Sequence, residues 1–245
     1  MRIASWNLNN RVGRTPFRPD AAAAAVALDV DTIFFNEYFP QAHGPSFERE
    51  LADAGLAHQI ISTKTPARAN RTFVASRVPV ERDSIDLPTF DHQFPANVLA
   101  VRFPDSQLRV LALRIPAYKS SQNDLGLRSW AWLESAAATL IEHPAVIIGD
   151  LNVRAGSHRG RGAQQLQRIR KTGWTLASSD TEPSYFSSRG YAHTLDYLLH
   201  TAQVRVSCAP FVKAVNDYVL ADGHAALSDH AAIVAVLHDQ FRTVT

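Results

Sequence analysis

Nine short apolar runs with strand character mark the chain, and only four helix-like patterns lie among them. The runs are "RIASWNL" (2–8), "TIFFNE" (32–37), "HQIIST" (58–63), "RTFVAS" (71–76), "NVLAVRF" (97–103), "LRVLALRI" (108–115), "AVIIGD" (145–150), "TLDYLLH" (194–200) and "HAAIVAVL" (230–237). Helical patterns fall near 18–28, 44–54, 122–143 and 160–172, the longest of them stopped by Pro144. This order is neither a strict strand–helix alternation nor all-β. Two sheets packed face to face, with helices covering the outside, would bury every run. The expectation is one α/β domain spanning 1–245, and a chain of 245 residues can bury a substantial core.

Composition narrows the class. Cys208 is the lone cysteine, so no internal disulfide forms and a Cys-rich metal site is excluded. The apolar run from Ala21 to Leu28 follows several arginines but is opened by Asp20 and closed by Asp29 and Asp31. It is also far short of the roughly 20 residues a membrane helix needs. A cytoplasmic protein is expected, monomeric, without membrane insertion or a stable protein partner.

The charge is unevenly placed. Residues 154–171 hold six of the 25 Lys and Arg and no acid, which leaves 19 basic against 23 acidic residues elsewhere. A second acid-free stretch, 63–77, carries four more basic residues. Such clusters are how a phosphate-binding face can look in sequence, although one such patch alone is more often a solvated helix surface.

Most of the strand-like runs carry polar residues at or near one end. Asn7 and Asn9 end the first, Asn36 and Glu37 the second, Arg114 the sixth, and Asp150 and Asn152 the seventh. The i, i+2 spacing of Asp150 and Asn152 puts both on one face if the chain stays extended. Asp196 lies between Leu195 and Tyr197 and so needs a buried partner, which His230 could supply.

Taken in order, "SWNLN", "FFNE", "IIGDLN", "LDYLL" and "LSDHAAI" resemble the endonuclease/exonuclease/phosphatase superfamily of metal-dependent phosphoesterases. The resemblance runs from Asn7 to His230, and "VASRVPV" (74–80) matches the turn after the family's third strand. It implies a four-layer α/β/β/α sandwich of two mixed sheets, in agreement with the element order. It also implies Mg²⁺ or Mn²⁺ as cofactor, with Glu37 the principal ligand, Asp229 a second and Asn7 close by. Asp150 resembles the general base, and Asn152 would hold the phosphate or the attacking water. His230 would stabilise developing charge, with its tautomer fixed by Asp196. At "ALRIPAY" (112–118), DNA-repair members usually carry an Asn-x-Tyr or a His; here the position is Arg114. A guanidinium there can hold a phosphate but cannot act as an acid at neutral pH.

The leading expectation is a divalent-metal-dependent nuclease acting on DNA or RNA, with Arg114, Tyr118, Arg159, Arg161, Arg168 and Lys171 on the substrate. The alternatives are a phosphoesterase of a small or lipid substrate, which would use the same central residues, and a non-catalytic binding module. Tyr38, Phe39, Tyr118, Tyr185, Phe186 and Tyr191, expected in loops near the site edge, could stack on bases. At least one of Trp130 and Trp132 is expected in the core.

Overall fold

A computed structural model describes residues 1–12, 17–64, 70–91, 93–118, 123–154, 162–222 and 224–238. The first sheet runs in spatial order β13 (Arg205–Val206), β17 (Ala232–His238), β1 (Arg2–Asn7), β2 (Thr32–Tyr38), β4 (Arg71–Ser76) and β3 (His58–Ile61), with β14 (Phe211–Val212) also on β17. The second runs β5 (Glu81–Arg82), β6 (Val98–Phe103), β7 (Leu108–Arg114), β8 (Ala145–Asp150), β12 (Asp196–His200) and β9 (Thr175–Leu176). Two small hairpins, β10 (Tyr185–Phe186) with β11 (Ala192–His193) and β15 (Ala214–Val215) with β16 (Tyr218–Val219), complete the strands. All nine runs read from the sequence are strands. The extra ones are mostly two-residue pairs, too short to show a period of two.

Each sheet is mixed in the same way. One parallel pair, β1 with β2 and β7 with β8, is set among antiparallel neighbours. The helices α1 (Ala21–Ala27), α2 (Gly44–Asp53), α3 (Asn123–Leu140) and α4 (Ala163–Lys171) supply the outer layers.

The period of two along the central strands decides which layer each side chain fills. On β2, Phe34 points between the sheets while Ile33 and Phe35 point to α1 and α2. On β8, Val146 and Ile148 face the other sheet, whereas Ala145 and Ile147 face α3 and α4. Tyr197 and Leu199 on β12 likewise point outward and Leu198 inward. The result is three apolar seams, one between the sheets and one beneath each helix pair, hence the α/β/β/α order. Burying each large side chain of this kind is worth about 1.5–3 kcal/mol. Helix α1 buries Ala21, Ala22, Ala24 and Ala25, side chains small enough to allow a close approach to its sheet. Trp130 is core; Trp132 is half-buried, its indole N–H donating to the Asp86 carbonyl at 2.9 Å.

Candidate active site

The parallel pairs end side by side, and their carboxyl ends supply most of the polar cluster. Register places Asn7 opposite Asn36 in the first sheet. In the second it places Asp150 opposite both Arg114 and Asp196. His230 and Asp229 lie just before β17, the antiparallel neighbour of β1. One edge of the sandwich therefore collects polar ends from both sheets.

Two local devices shape that edge. The β2–β4 register shifts between Phe35 and Tyr38, and within that bulge Glu37 adopts a φ of +53°, in the left-handed region. A non-glycine residue held there is strained, and bulges commonly re-aim side chains at functional sites. The second device is Gly149, with φ +137°. A Cβ there would stand 2.1 Å from the Leu113 carbonyl oxygen and 2.8 Å from Asn36 Oδ1. Only glycine lets β8 approach β7 and Asn36 so closely, and Asn36 Oδ1 accepts the Asp150 N–H at 3.2 Å.

Asp150, fully buried, is the hub. Asn7 Nδ2 donates to its Oδ2 at 3.0 Å, and Asn152 Nδ2 donates to the same oxygen at 2.9 Å. Its Oδ1 accepts the Asn152 N–H, also at 2.9 Å. The extended-chain expectation for Asp150 and Asn152 is therefore corrected. β8 ends at Asp150, Asn152 turns into the left-handed region at φ +49°, and a tight side-chain turn brings the pair together.

Glu37 is ringed by donors. Asn7 Nδ2 approaches Oε1 at 3.4 Å, Asn10 Nδ2 reaches Oε2 at 2.6 Å and Asn70 Nδ2 reaches Oε2 at 3.3 Å. Arg114 Nε lies 2.8 Å from Glu37 Oε1 and 3.6 Å from Asp150 Oδ2.

Opposite stands the His230–Asp196 pair. His230 Nδ1 lies 2.7 Å from Asp196 Oδ2, which also accepts the Ser184 hydroxyl at 2.7 Å. The carboxylate thus puts a proton on Nδ1 and leaves Nε2 facing Asp229 Oδ1 at 3.9 Å. The imidazole is carried by a rigid frame. Trp6 Nε1 donates to the His230 carbonyl at 2.9 Å, Ser228 Oγ donates to the Asn7 carbonyl at 2.6 Å, and the Tyr185 ring lies 5.0 Å away.

Burial and charge set the protonation states. Burial pushes the Asp150 carboxyl up to about 7; Asp196 and Glu37 add to the rise, against His230 and Arg114. Asp229 is likewise raised by burial. Burial disfavours charge on His230, but Asp196, Asp150 and Asp229 outweigh it and raise the imidazole to about 10. When all are ionised, the four carboxylates Glu37, Asp150, Asp196 and Asp229 outnumber the Arg114 guanidinium, the His230 imidazolium and the Arg11 guanidinium that acts on Asp229, an excess of one negative charge.

These groups suit a hard cation. The donors are oxygens, and Asp229 Oδ1 and Asn10 Oδ1 are buried without a hydrogen-bond partner among the described residues. Also among the described residues, no three His, Cys, Asp or Glu side chains cluster tightly enough to cage a metal. Magnesium asks for less, one or two carboxylates with waters completing its shell. Glu37 and Asp229, with the Asn10 amide oxygen, offer that set.

Other residues singled out from the sequence are placed as follows. The Tyr118 hydroxyl lies 3.1 Å from Ser129 Oγ. Arg168 pairs with Glu134 of α3 at 2.8 Å. Lys171 borders a cavity of about 510 Å³ with Arg170 and Trp174, toward the His200 end of β12 and away from Asp196. Arg159 and Arg161 lie outside the described residues. Tyr38 is not in a loop: it extends β2 and is buried against Phe73, with ring centroids 4.8 Å apart. Phe39 is also buried, whereas Tyr191 is exposed. Asn10, Asn70 and Ser184 are site contacts that sequence reasoning missed. Of these only Asn10, in "NLNN" after the first strand, carried a signal.

A model of the Endonuclease/Exonuclease/phosphatase family matches residues 4–230. Similar solved structures include a 3′–5′ exonuclease, NExo, from Neisseria meningitidis, with TM-score 0.71 and 19% identity over 96% of this chain and 99% of that one. A structure of 3′ phosphatase NExo from Neisseria bound to product DNA hairpin gives 0.71 and 17%, covering 97% and 99%. An AP endonuclease from Archaeoglobus fulgidus gives 0.72 and 16%, covering 96% and 98%. No curated protein matches the sequence significantly. No helix among the described residues is long and apolar enough to cross a membrane.

Proposed function

The chain belongs to the endonuclease/exonuclease/phosphatase family, and from that premise we propose that it is a divalent-metal-dependent phosphodiesterase, a nuclease of DNA or RNA. The observation that carries the reading is the charge excess around buried Asp150. A pocket whose carboxylates outnumber its cations once Asp150 ionises, and which holds unpartnered acceptors, is poised for a cation and disfavours a phosphodiester until one is bound. Glu37 and Asp229 would hold Mg²⁺ or Mn²⁺, with Asn7 and Asn10 beside them. The ion would supply Lewis-acid stabilisation of charge on a phosphate oxygen.

The protein's own groups do the rest. Asp150, ionised above about pH 7 and steadied by Asn7 and Asn152, accepts the proton of the attacking water. His230, held protonated by Asp196, donates from Nε2 to the phosphate oxygen on which charge builds. Arg114 offers a fixed positive charge to the same phosphate. The acid-free stretches 63–77 and 154–171, and neighbours described as an exonuclease, an AP endonuclease and a DNA-bound phosphatase, favour nucleic acid as substrate.

The test is a substrate panel. Plasmid, single-stranded DNA, RNA, an abasic duplex, a phosphomonoester and a phospholipid are offered with Mg²⁺ or Mn²⁺, and again with excess chelator. Metal-dependent cleavage of a polynucleotide is expected. Full turnover in chelator rejects metal dependence, and turnover of the small esters alone transfers the site to the small-substrate phosphoesterase reading.

A further inference from the structure

We propose that Arg114 is a built-in cation that occupies Glu37 until a divalent ion displaces it, and that the released guanidinium then takes a substrate phosphate oxygen. The inference rests on the metal-dependent reading above and adds a competition that the reading does not require. Arg114 Nε lies 2.8 Å from Glu37 Oε1, and both side chains are largely shielded from solvent. Yet that Nε–H is buried and points at no acceptor among the described residues. The two groups are close through charge but poorly aligned, unlike the directed fork pairing that makes Arg–carboxylate contacts strong. Such a pair is easily exchanged.

The opposite defect stands within reach of Glu37's charge. Asn10 donates to Glu37 while its own Oδ1 is buried without a donor, and Asp229 Oδ1 is in the same state. An unsatisfied donor beside unsatisfied acceptors fits a site in which one guanidinium stands in for two missing ligands, a cation and an anion. A cation on Glu37, Asp229 and Asn10 satisfies the acceptors, and the freed guanidinium needs an anion, which the phosphodiester provides. Glu37 is fixed by its strained bulge, whereas Arg114, the last residue of β7, carries a long flexible side chain and is the group that yields. Because linkage is reciprocal, the arrangement makes Arg114 and metal compete, and makes metal and substrate phosphate cooperate.

The test measures metal binding without substrate. Metal-free full-length protein, Arg114→Gln and Arg114→Lys are titrated with Mn²⁺ and followed by electron paramagnetic resonance, with thermal unfolding as the check on folding. Removing the competing charge should tighten Mn²⁺ binding by about 5- to 150-fold, the usual span of site-to-site coupling. Arg114→Lys, which keeps the charge, should bind like wild type. Unchanged or weaker binding by folded Arg114→Gln overturns the proposal, as does equal tightening in Arg114→Lys. Absence of Mn²⁺ binding in all three proteins overturns it together with the metal-dependent reading; binding by wild type without tightening removes the displacement alone. Should Arg114→Gln fail to fold, the Arg114 Nε–H resonance of wild type, identified by its loss in Arg114→Lys, decides. It should shift in step with Mg²⁺ binding, and an unmoved resonance overturns the proposal.

Discussion

Asn7 and Asp150 end strands in different sheets, yet the Asn7 amide donates to the Asp150 carboxylate across 3.0 Å. That bond ties the two halves of the sandwich at the point where the chemistry is proposed. Its donor favours the ionised form of a carboxyl that burial holds near neutrality. Asn7→Ala should therefore push Asp150 further up. The acid limb of the kcat/KM profile should move to higher pH, with a stability loss of about 1.5–3 kcal/mol from one lost hydrogen bond to a charged group, since Oδ2 keeps its Asn152 donor. An unmoved acid limb would limit Asn7 to a structural role.

Asp150→Asn and His230→Ala should each lower kcat by about 10² or more, the usual worth of a general base or a transition-state donor. Circular dichroism should show both variants folded. Wild-type turnover in either would place the chemistry elsewhere.

The His230–Asp196 pair predicts a pH dependence of stability. An imidazole raised to about 10 from an ordinary value near 6.5 favours folding fully below about pH 6.5, and loses that contribution as pH climbs from there through about 10. Unfolding midpoints in denaturant, measured without metal from pH 6 to 10, should fall across this window. Asp196→Asn should flatten the fall, and parallel curves for the two proteins would contradict the assignment.

Gly149→Ala should be among the most damaging small changes in the chain. The added methyl meets the Leu113 carbonyl at 2.1 Å, and the residue must keep a φ of +137° that costs a non-glycine roughly 1–3 kcal/mol before any clash. A loss of several kcal/mol is expected. Activity should fall as well, because β8 must retreat from Asn36 and carries Asp150 with it. Thermal unfolding and kcat together check this.

Substrate size is read from salt. If the substrate is a nucleic acid, replacing Arg159, Arg161, Arg168 and Lys171 with Ala should raise KM but leave kcat nearly unchanged. The slope of log K against log salt should also shrink by about 0.7–0.9 for each phosphate that is no longer neutralised. Affinity of the Asp150→Asn protein for an oligonucleotide across a salt series measures it. An unchanged slope rejects contact between these four residues and the polynucleotide.

What the sequence made legible follows from what is local. The strands were visible because their apolar runs are long enough to show a pattern. Asp196 announced a partner because a carboxylate amid leucines must have one, and His230 is that partner. Glu37 was visible as a residue but not as a strained one, since its positive φ comes from a bulge set by β4. Asn70 and Ser184 were hidden because an isolated loop amide or hydroxyl has no period, and its partner is fixed by tertiary packing alone. Tyr38 was misplaced by one residue: a strand end has no sharp signal, and the bulge carries β2 just past Glu37 into the core.

The tie between the first strand and the last has a consequence for synthesis. Trp6 reaches the His230 carbonyl and Ser228 reaches the Asn7 carbonyl, contacts spanning 224 and 221 residues. The histidine on which the proposed reaction depends thus gains its platform only after residue 230 has been made and has returned to pair beside the first strand. Sheet two cannot supply that platform, however early it folds, because β1 and β17 belong to sheet one. On the proposed reading, a growing polypeptide therefore lacks the histidine's platform, whatever phosphodiesters surround it, until its first and last strands can meet.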